Sequence, residues 1–176
     1  METIERDAPA SDTGTARNAA TTRFKAAMGS FAAGVTIITA IDDAGTPQGM
    51  TATAFSSVSV SPPLCLVCVN HRARTCQSIV ARGCFAVNLL CADQHELSAR
   101  FASSAPEKYA GVSWVRGATT GCPLLTRALA RIECVIQEVH AAGDHCVIVG
   151  QPLSIDVDDG SPLVYWRGRY SSLTDS

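Results

Sequence analysis

The sequence predicts a mainly β fold, a closed barrel with a few peripheral helices, and three observations carry that expectation. Many β-branched, apolar strands of modest length are joined by turn sequences. Helical periodicity is confined to a few short segments. No G-x-G-x-x-G follows a strand and no G-x-x-x-x-G-K-[ST] occurs, so neither a βαβ sheet nor its phosphate-binding loop is indicated.

The 176 residues suffice for one hydrophobic core and are short for two, which points to a single domain with a tail. Hydrophobic residues make up 47% and charged residues 17%, a globular composition. A formal net charge of -2 offers no basic field for nucleic acid or anionic lipid. The longest apolar runs, 35–40 and 64–69, fall far short of the roughly 20 residues a membrane span needs. The opening METIERDAPASDTGTARNAAT mixes acids with Ser, Thr and Ala and lacks the apolar centre of a signal peptide. Residues 1–21 are therefore expected to be a disordered arm, residues 22–176 the domain, and the location cytoplasmic.

In chain order, Phe24, Ala27, Met28 and Phe31 recur at helical spacing, and the pattern predicts a helix over 22–33 stopped by Gly34. VTIITAID (35–42) is a strand, DDAGTP a turn, and GMTATAF the start of a second extended segment, which together read as a hairpin. That second segment runs on to Pro62-Pro63 with Thr, Ala and Ser at nearly every position and Phe55 as its one large side chain. LCLVCVN is a strand, HRARTCQSIVARG a short helix closed by Gly83, CFAVNLL a strand and ADQHELSARFAS a helix. Residues 103–125 read mostly as loop. A long strand follows over 130–139, the Gly-Asp-His at 143–145 turns it, CVIVGQPLSIDV returns, and LVYWRG is a last short strand.

Eight cysteines stand at 65, 68, 76, 84, 91, 122, 134 and 146, mostly inside apolar runs. Cys65 and Cys68 resemble half of a zinc knuckle, yet on a strand residues three apart point to opposite faces, and no second pair at ligand spacing follows. They are expected to be reduced, small core residues.

Four stretches can carry chemistry. The small hydroxyl-rich segment 49–63 fits a wall against which a flat ring packs, although composition alone favours a tight sheet edge or subunit contact. HRARTCQS (71–78) sets two arginines and a threonine before a helix start, a ready phosphate site or a solvated surface. In Ala142-Gly143-Asp144-His145 an acid/base pair is conceivable, but neighbouring residues rarely face each other, so Asp144 is expected to bond local backbone. Tyr165-Trp166-Arg167-Gly168-Arg169-Tyr170 interleaves aromatics with arginines and can clamp an anionic aromatic ligand or cover the barrel's end. No G-x-S-x-G or other nucleophile arrangement occurs.

Taken in order, FAAGVTIIT, GMTATAFSSVSVSPP, FAVNLL, CPLL, AGDH and PLVYWRGRY resemble the short-chain flavin reductases, the reductase components of two-component flavin-dependent monooxygenases, over residues 24–173. The resemblance implies an FMN-binding split β-barrel of Greek-key type, a homodimer with flavin near the subunit interface. It implies an NAD(P)H:flavin oxidoreductase that moves hydride from nicotinamide C4 to N5 of FAD or FMN and passes free reduced flavin to a partner monooxygenase. NADH is the expected donor, with NADPH as the other option. By the same resemblance Ala52, Thr53, Ala54, Phe55, Ser56, Val58 and Ser59 form the flavin wall, and Ala73, Arg74 and Thr75 hold flavin phosphate or ribityl groups. Phe31, His145, Tyr165, Trp166, Arg167 and Gly168 meet the nicotinamide nucleotide, His145 as the catalytic candidate. No metal and no nucleic acid is implied. The rival readings are a non-enzymatic flavin- or haem-binding split-barrel module and a purely structural dimer. The AGDH turn and the aromatic-basic terminus favour the reductase, because a simple binder needs no nicotinamide site.

Overall fold

The computed structural model describes residues 13–173. Helix α1 (Thr13–Gly29) opens the chain, so residues 13–21, expected to be unstructured, are helical, while residues 1–12 of the expected arm lie outside the described residues. The helix stops at Gly29 rather than Ala33, and Ala33–Gly34 instead form β1, paired with Val164 and Tyr165. Phe31 thus falls beyond the helix, and the apolar stripe read from Phe24, Met28 and Phe31 is 66%, 55% and 71% exposed. The stripe does not face this chain's own core. What ties α1 down is its C-terminal end, where the Arg167 N–H donates to the Gly29 carbonyl at 2.8 Å and the Trp166 indole N–H to that of Ser30 at 3.1 Å, meeting carbonyls that helix ends leave unpaired.

Strands β2 (Thr36–Ile41) and β3 (Pro47–Ala52) form the expected hairpin, their turn held by the Asp42 carboxylate, which accepts from the Ala44 and Thr46 N–H groups. Every residue of β2 is buried because both its faces are covered. Ile38 and Ala40 point into one cluster with Cys65, Val67, Phe85 and Ile148; Ile37 points into another with Leu90, Phe101, Leu125 and Leu163. There follow β4 (Phe55–Val60), β5 (Pro63–Asn70), α2 (Arg74–Arg82), β6 (Cys84–Leu89), α3 (His95–Ala102), β7 (Trp114–Arg116), β8 (Pro123–Leu125), β9 (Ala130–Ala142), β10 (His145–Val157), β11 (Val164–Trp166) and β12 (Arg169–Ser171). Strands β7, β8 and β12, three residues each, are too short to show a period, so β7 and β8 fall within the stretch expected to be loop and β12 has no sequence signal.

Seven antiparallel strands share one sheet in the order β3-β2-β6-β9-β10-β5-β4. The chain leaves β3 at one edge of this order and enters β4 at the other with only Thr53 and Ala54 between. Three residue steps cover at most about 11 Å, so the two edges lie side by side there and the sheet is rolled into a barrel. The hydroxyl-rich segment of the sequence is that seam. Its bonding changes hands at Ala54, whose carbonyl accepts the Cys68 N–H at 3.0 Å.

The barrel interior holds Ile38, Val67, Val69, Phe85, Val87 and Ile148, and α2 plugs it with Cys76 and Ile79. Gly150 on β10 makes room for Phe85: a Cβ there would stand 2.5 Å from the ring and 3.1 Å from the Cys134 Cβ. All eight cysteines are free thiols; Cys65, Cys76, Cys122 and Cys134 are buried and the rest half-buried. Two buried polar residues splice the outer layer to the barrel. Asn88 accepts the Leu125 N–H at 2.8 Å and donates to the Ile37 carbonyl at 3.2 Å, joining β6 to β8 and β2. Glu133, 3% exposed, accepts from the N–H and the hydroxyl of Thr120, both at 2.6 Å, and so organises the turn before β8.

Candidate active site

A cleft of about 810 Å³ opens between β3, the loop leading into α2, and the segment that follows α3. Its size is that of a small-molecule or cofactor site. Asn70 shapes the first of its walls: the side-chain oxygen accepts the Arg72 N–H at 2.9 Å and the backbone carbonyl accepts the Ala73 N–H at 3.0 Å. That turn delivers the chain to α2 with Ala73 as N-cap, a residue with no side chain to bond the first helical N–H groups. Those donors, the Thr75 side chain and the guanidinium-bearing Arg72 and Arg74 are all on the cleft wall. Ala73, Arg74 and Thr75, predicted to hold phosphate, are therefore together in one cleft.

The opposite wall was not foreseen. Residues 101–110, read as loop, bring Glu107, Lys108 and Tyr109 to the cleft. The Lys108 ammonium donates to the carbonyls of Phe101 at 2.9 Å and Gly49 at 3.2 Å. Burial, and then the Arg74 charge, lower its pKa. Tyr109 donates to the Gln48 carbonyl at 2.9 Å, and burial pushes its phenol well above the usual range, which keeps it a neutral donor. The ring of Phe101 packs edge-on against Tyr109, and both press on Gly49, where a Cβ would come within 2.6 Å of Phe101. The one sequence signal was a charged-aromatic Glu-Lys-Tyr inside a Gly- and Pro-containing stretch.

The predicted wall begins where the cleft's Thr51 ends. Ala52 is buried; Thr53, Ala54, Ser56 and Val58 are exposed; Phe55 and Ser59 are half-buried, with Phe55 packed on the barrel core. A bulge between Ser57 and Ser59 breaks the strict alternation. The side-chain hydroxyls of Thr53 and Ser59 make no hydrogen bond among the described residues, so both are free for a ligand edge.

The turn at Gly143-Asp144 docks onto the same loop. Gly143 adopts φ +63°, the Asp144 carbonyl accepts the His71 N–H at 3.2 Å, and His145 opens β10 opposite the cleft's Asn70. Against expectation, Asp144 does face its neighbour: its carboxylate lies 2.7 Å from His145 Nδ1, because the turn's non-extended backbone swings the two side chains to the same side. The His145 bond and charge, first of all, hold the Asp144 carboxyl below the ordinary carboxylate range.

Tyr165, Trp166, Arg167 and Gly168 lie on the three-stranded sheet β1-β11-β12 and do not line the cleft. Arg167 and Gly168 form the two-residue β11–β12 turn with φ +48° and +77°, and the Arg167 guanidinium stacks on Trp166 at 4.7 Å. Phe31, 71% exposed, follows Ser30 in the chain, whose carbonyl accepts the Trp166 indole N–H. The link from this sheet to the seam is Ser98 on α3: its hydroxyl accepts from Tyr170 at 3.0 Å and its carbonyl from Thr51 at 2.6 Å.

This donor set suits an anionic, partly aromatic ligand: cations and uncapped amides for phosphate, and small residues with free hydroxyls beside them for a flat ring. No group of three metal-ligating side chains occurs among the described residues.

Residues 28–174 match the family model of the flavin reductase like domain. The chain is 40% identical over 152 residues to the reductase subunit HsaB of a flavin-dependent monooxygenase from Rhodococcus jostii, covering 86% of this chain and 77% of that one. Among solved structures it superposes with a TM-score of 0.85 on component B of a nitrilotriacetate monooxygenase from Mycobacterium thermoresistibile, at 35% identity and covering 90% and 89% of the two chains. It superposes with a TM-score of 0.83 on an NADH:FAD oxidoreductase of Streptomyces globisporus in complex with NAD and FAD fragments, at 33% identity and covering 88% and 93%.

Proposed function

The chain belongs to the flavin reductase like domain family, and we propose that it uses its cationic cleft and small-residue seam to reduce FAD with NADH. It is an NAD(P)H-dependent flavin reductase that supplies reduced flavin to a partner monooxygenase, a reading supported by relatives named as a reductase subunit of a flavin-dependent monooxygenase and as an NADH-dependent flavin reductase. The observation that supports the flavin's place is the continuity of the two surfaces: Thr51 lines the cleft and the wall begins at the next residue, Ala52.

In this reading Arg72, Arg74, Lys108, the first N–H groups of α2 and Thr75 hold the flavin's phosphates. Ala52, Thr53, Ala54, Phe55, Ser56, Val58 and Ser59 line its ring, with side chains short enough for close approach and hydroxyls that donate to the ring edge. Phe31, Tyr165, Trp166, Arg167 and Gly168 hold the nicotinamide nucleotide, and His145, at the cleft's rim, orients its reacting end. The bound pair supplies the chemistry, a hydride passed from nicotinamide C4 to flavin N5 across roughly 3 to 3.5 Å. The chain contributes orientation, exclusion of water and donors where negative charge develops on the ring. Three cations in one cleft suit the two phosphates of FAD better than the single one of FMN.

We place two such chains in a homodimer. The support is apolar surface left bare on one chain: Phe24 and Met28 on α1, Val58 and Val60 on the seam strand, and Leu153, Ile155 and Val157 along β10, between 49% and 91% exposed. Eight unpaired thiols fit a reducing, cytoplasmic compartment, and no described helix is long and apolar enough to cross a membrane. Steady-state oxidation of NADH or NADPH with FAD, FMN or no flavin tests the reading. It predicts turnover only with flavin, best with FAD and NADH; flavin binding without nicotinamide oxidation would leave a binding module instead.

A further inference from the structure

We propose that Asp144 is the positioning residue of His145, fixing the proton on Nδ1 so that Nε2 is the ring atom presented to the ligand. The inference rests on the reading that His145 meets the nicotinamide nucleotide. Its ground is geometric. The Asp144 carboxylate stands 2.7 Å from His145 Nδ1, within the range of a charge-assisted bond. A carboxylate only accepts, so Nδ1 is the donor and carries hydrogen, and the partner of one imidazole nitrogen decides what the other can offer. The backbone that carries it is held, Gly143 in the left-handed conformation the tight turn needs and the Asp144 carbonyl accepting the His71 N–H, while the carboxylate, 80% exposed, is bonded to the His145 ring. The dyad is thereby fixed to the loop that carries Arg72 and leads into Arg74 and Thr75 of α2, at the end of β5 where Asn70 faces His145.

The charged neighbours are few. His71 belongs to the anchoring loop, and its charge adds to the lowering of the Asp144 carboxyl. Arg72 follows it. On the adjoining β9, His140 is paired with Glu138 at 2.7 Å, which leaves Asp144 as the carboxylate bonded to the His145 ring.

Three proteins, each in its flavin-loaded form, are compared: wild type, Asp144→Ala and Asp144→Asn. The amide oxygen of asparagine still accepts from Nδ1, whereas alanine leaves that nitrogen to water. Long-range 1H–15N correlation spectra of the imidazoles, with His145 assigned by His145→Gln, read the tautomer without reference to activity. Hydrogen on Nδ1 is expected in wild type and Asp144→Asn, and on Nε2 in a large share of Asp144→Ala. Stopped-flow flavin reduction by NADH across pH 5.5 to 9 should then show Asp144→Ala slowed about threefold to tenfold, the worth of one hydrogen bond. Its pH profile should be displaced, its flavin affinity kept, and Asp144→Asn within about threefold of wild type. Hydrogen on Nε2 of wild-type His145, or Asp144→Ala and Asp144→Asn impaired alike, overturns the proposal. If the tautomers come out as expected but His145→Gln reduces flavin at the wild-type rate, it is the nicotinamide reading of His145 that fails.

Discussion

Lys108 and Arg74 line the same cleft, and burial first, then the nearby Arg74 charge, makes the Lys108 ammonium costly. Such a pair is costly unless an anion comes between, which is why the cleft reads as a phosphate site rather than as a structural ion network. Charge-assisted hydrogen bonds contribute about 1.5–3 kcal/mol, so Arg74→Ala should weaken FAD binding roughly tenfold or more. Lys108→Met should do the same while also freeing the Gly49 and Phe101 carbonyls. Fluorescence titration with FAD and with riboflavin checks this: affinity for riboflavin, which has no phosphate, should change little. Equal losses for both flavins would place the phosphate elsewhere. Arg74 was legible because a helix start can be read from its flanking residues. Lys108 was not, because what makes it functional is the fold of residues 103–110 back over β3, and no local period records that.

At the scale of elements, strands rich in Val and Ile declared themselves, since β-branched residues fit a pleated, half-buried surface. The seam did not. Thr, Ala and Ser carry little apolar signal, so the break at Thr53-Ala54, where one extended segment becomes two strands at opposite edges, has no sequence marker. Asn88 and Glu133 were not singled out from the sequence, because a buried polar group is explained by its partners, and theirs lie far along the chain, in the turn and strand at 119–125 and, for Asn88, on β2. The seam account predicts that Thr53→Trp fills the ring's space and weakens flavin binding while the melting transition stays near that of wild type. A variant that binds FAD unchanged would remove the wall from the site. Gly150→Val tests the barrel in the opposite sense. Its side chain would meet Phe85 and Cys134, so urea denaturation should show a loss of about 1–3 kcal/mol from overpacking. An unchanged midpoint would mean that Phe85 is free to move aside.

The whole molecule combines a thiol-lined core with a site on its surface, and the two respond to different conditions. Burial, with Cys146 adding to it, pushes the Cys76 thiol up to about 11, and burial pushes Cys122 up to about 12, against 9.0 for an unburied thiol. A group raised on folding contributes stability that is complete below the unfolded pKa and lost as pH rises through the folded one. Tyr109 acts in the same sense, and Lys108, lowered by burial, in the opposite one. Cys134, raised by its bond to Cys65, joins the first set and Cys65, lowered by the same bond, joins Lys108; four groups outweigh two, so the melting temperature should fall above about pH 9, and less steeply in Cys122→Ala, and a flat profile to pH 11 would contradict the burial of these thiols. The surface site asks for a different experiment. If cleft and seam seat a flavin where a nicotinamide nucleotide can reduce it, anaerobic stopped-flow mixing of the FAD-loaded protein with NADH will show it. The visible absorbance of oxidised flavin should bleach in a single turnover, at a rate that saturates with NADH, and Arg74→Ala should need more FAD to show the same amplitude. Bound FAD that stays oxidised in the presence of saturating NADH or NADPH would contradict it.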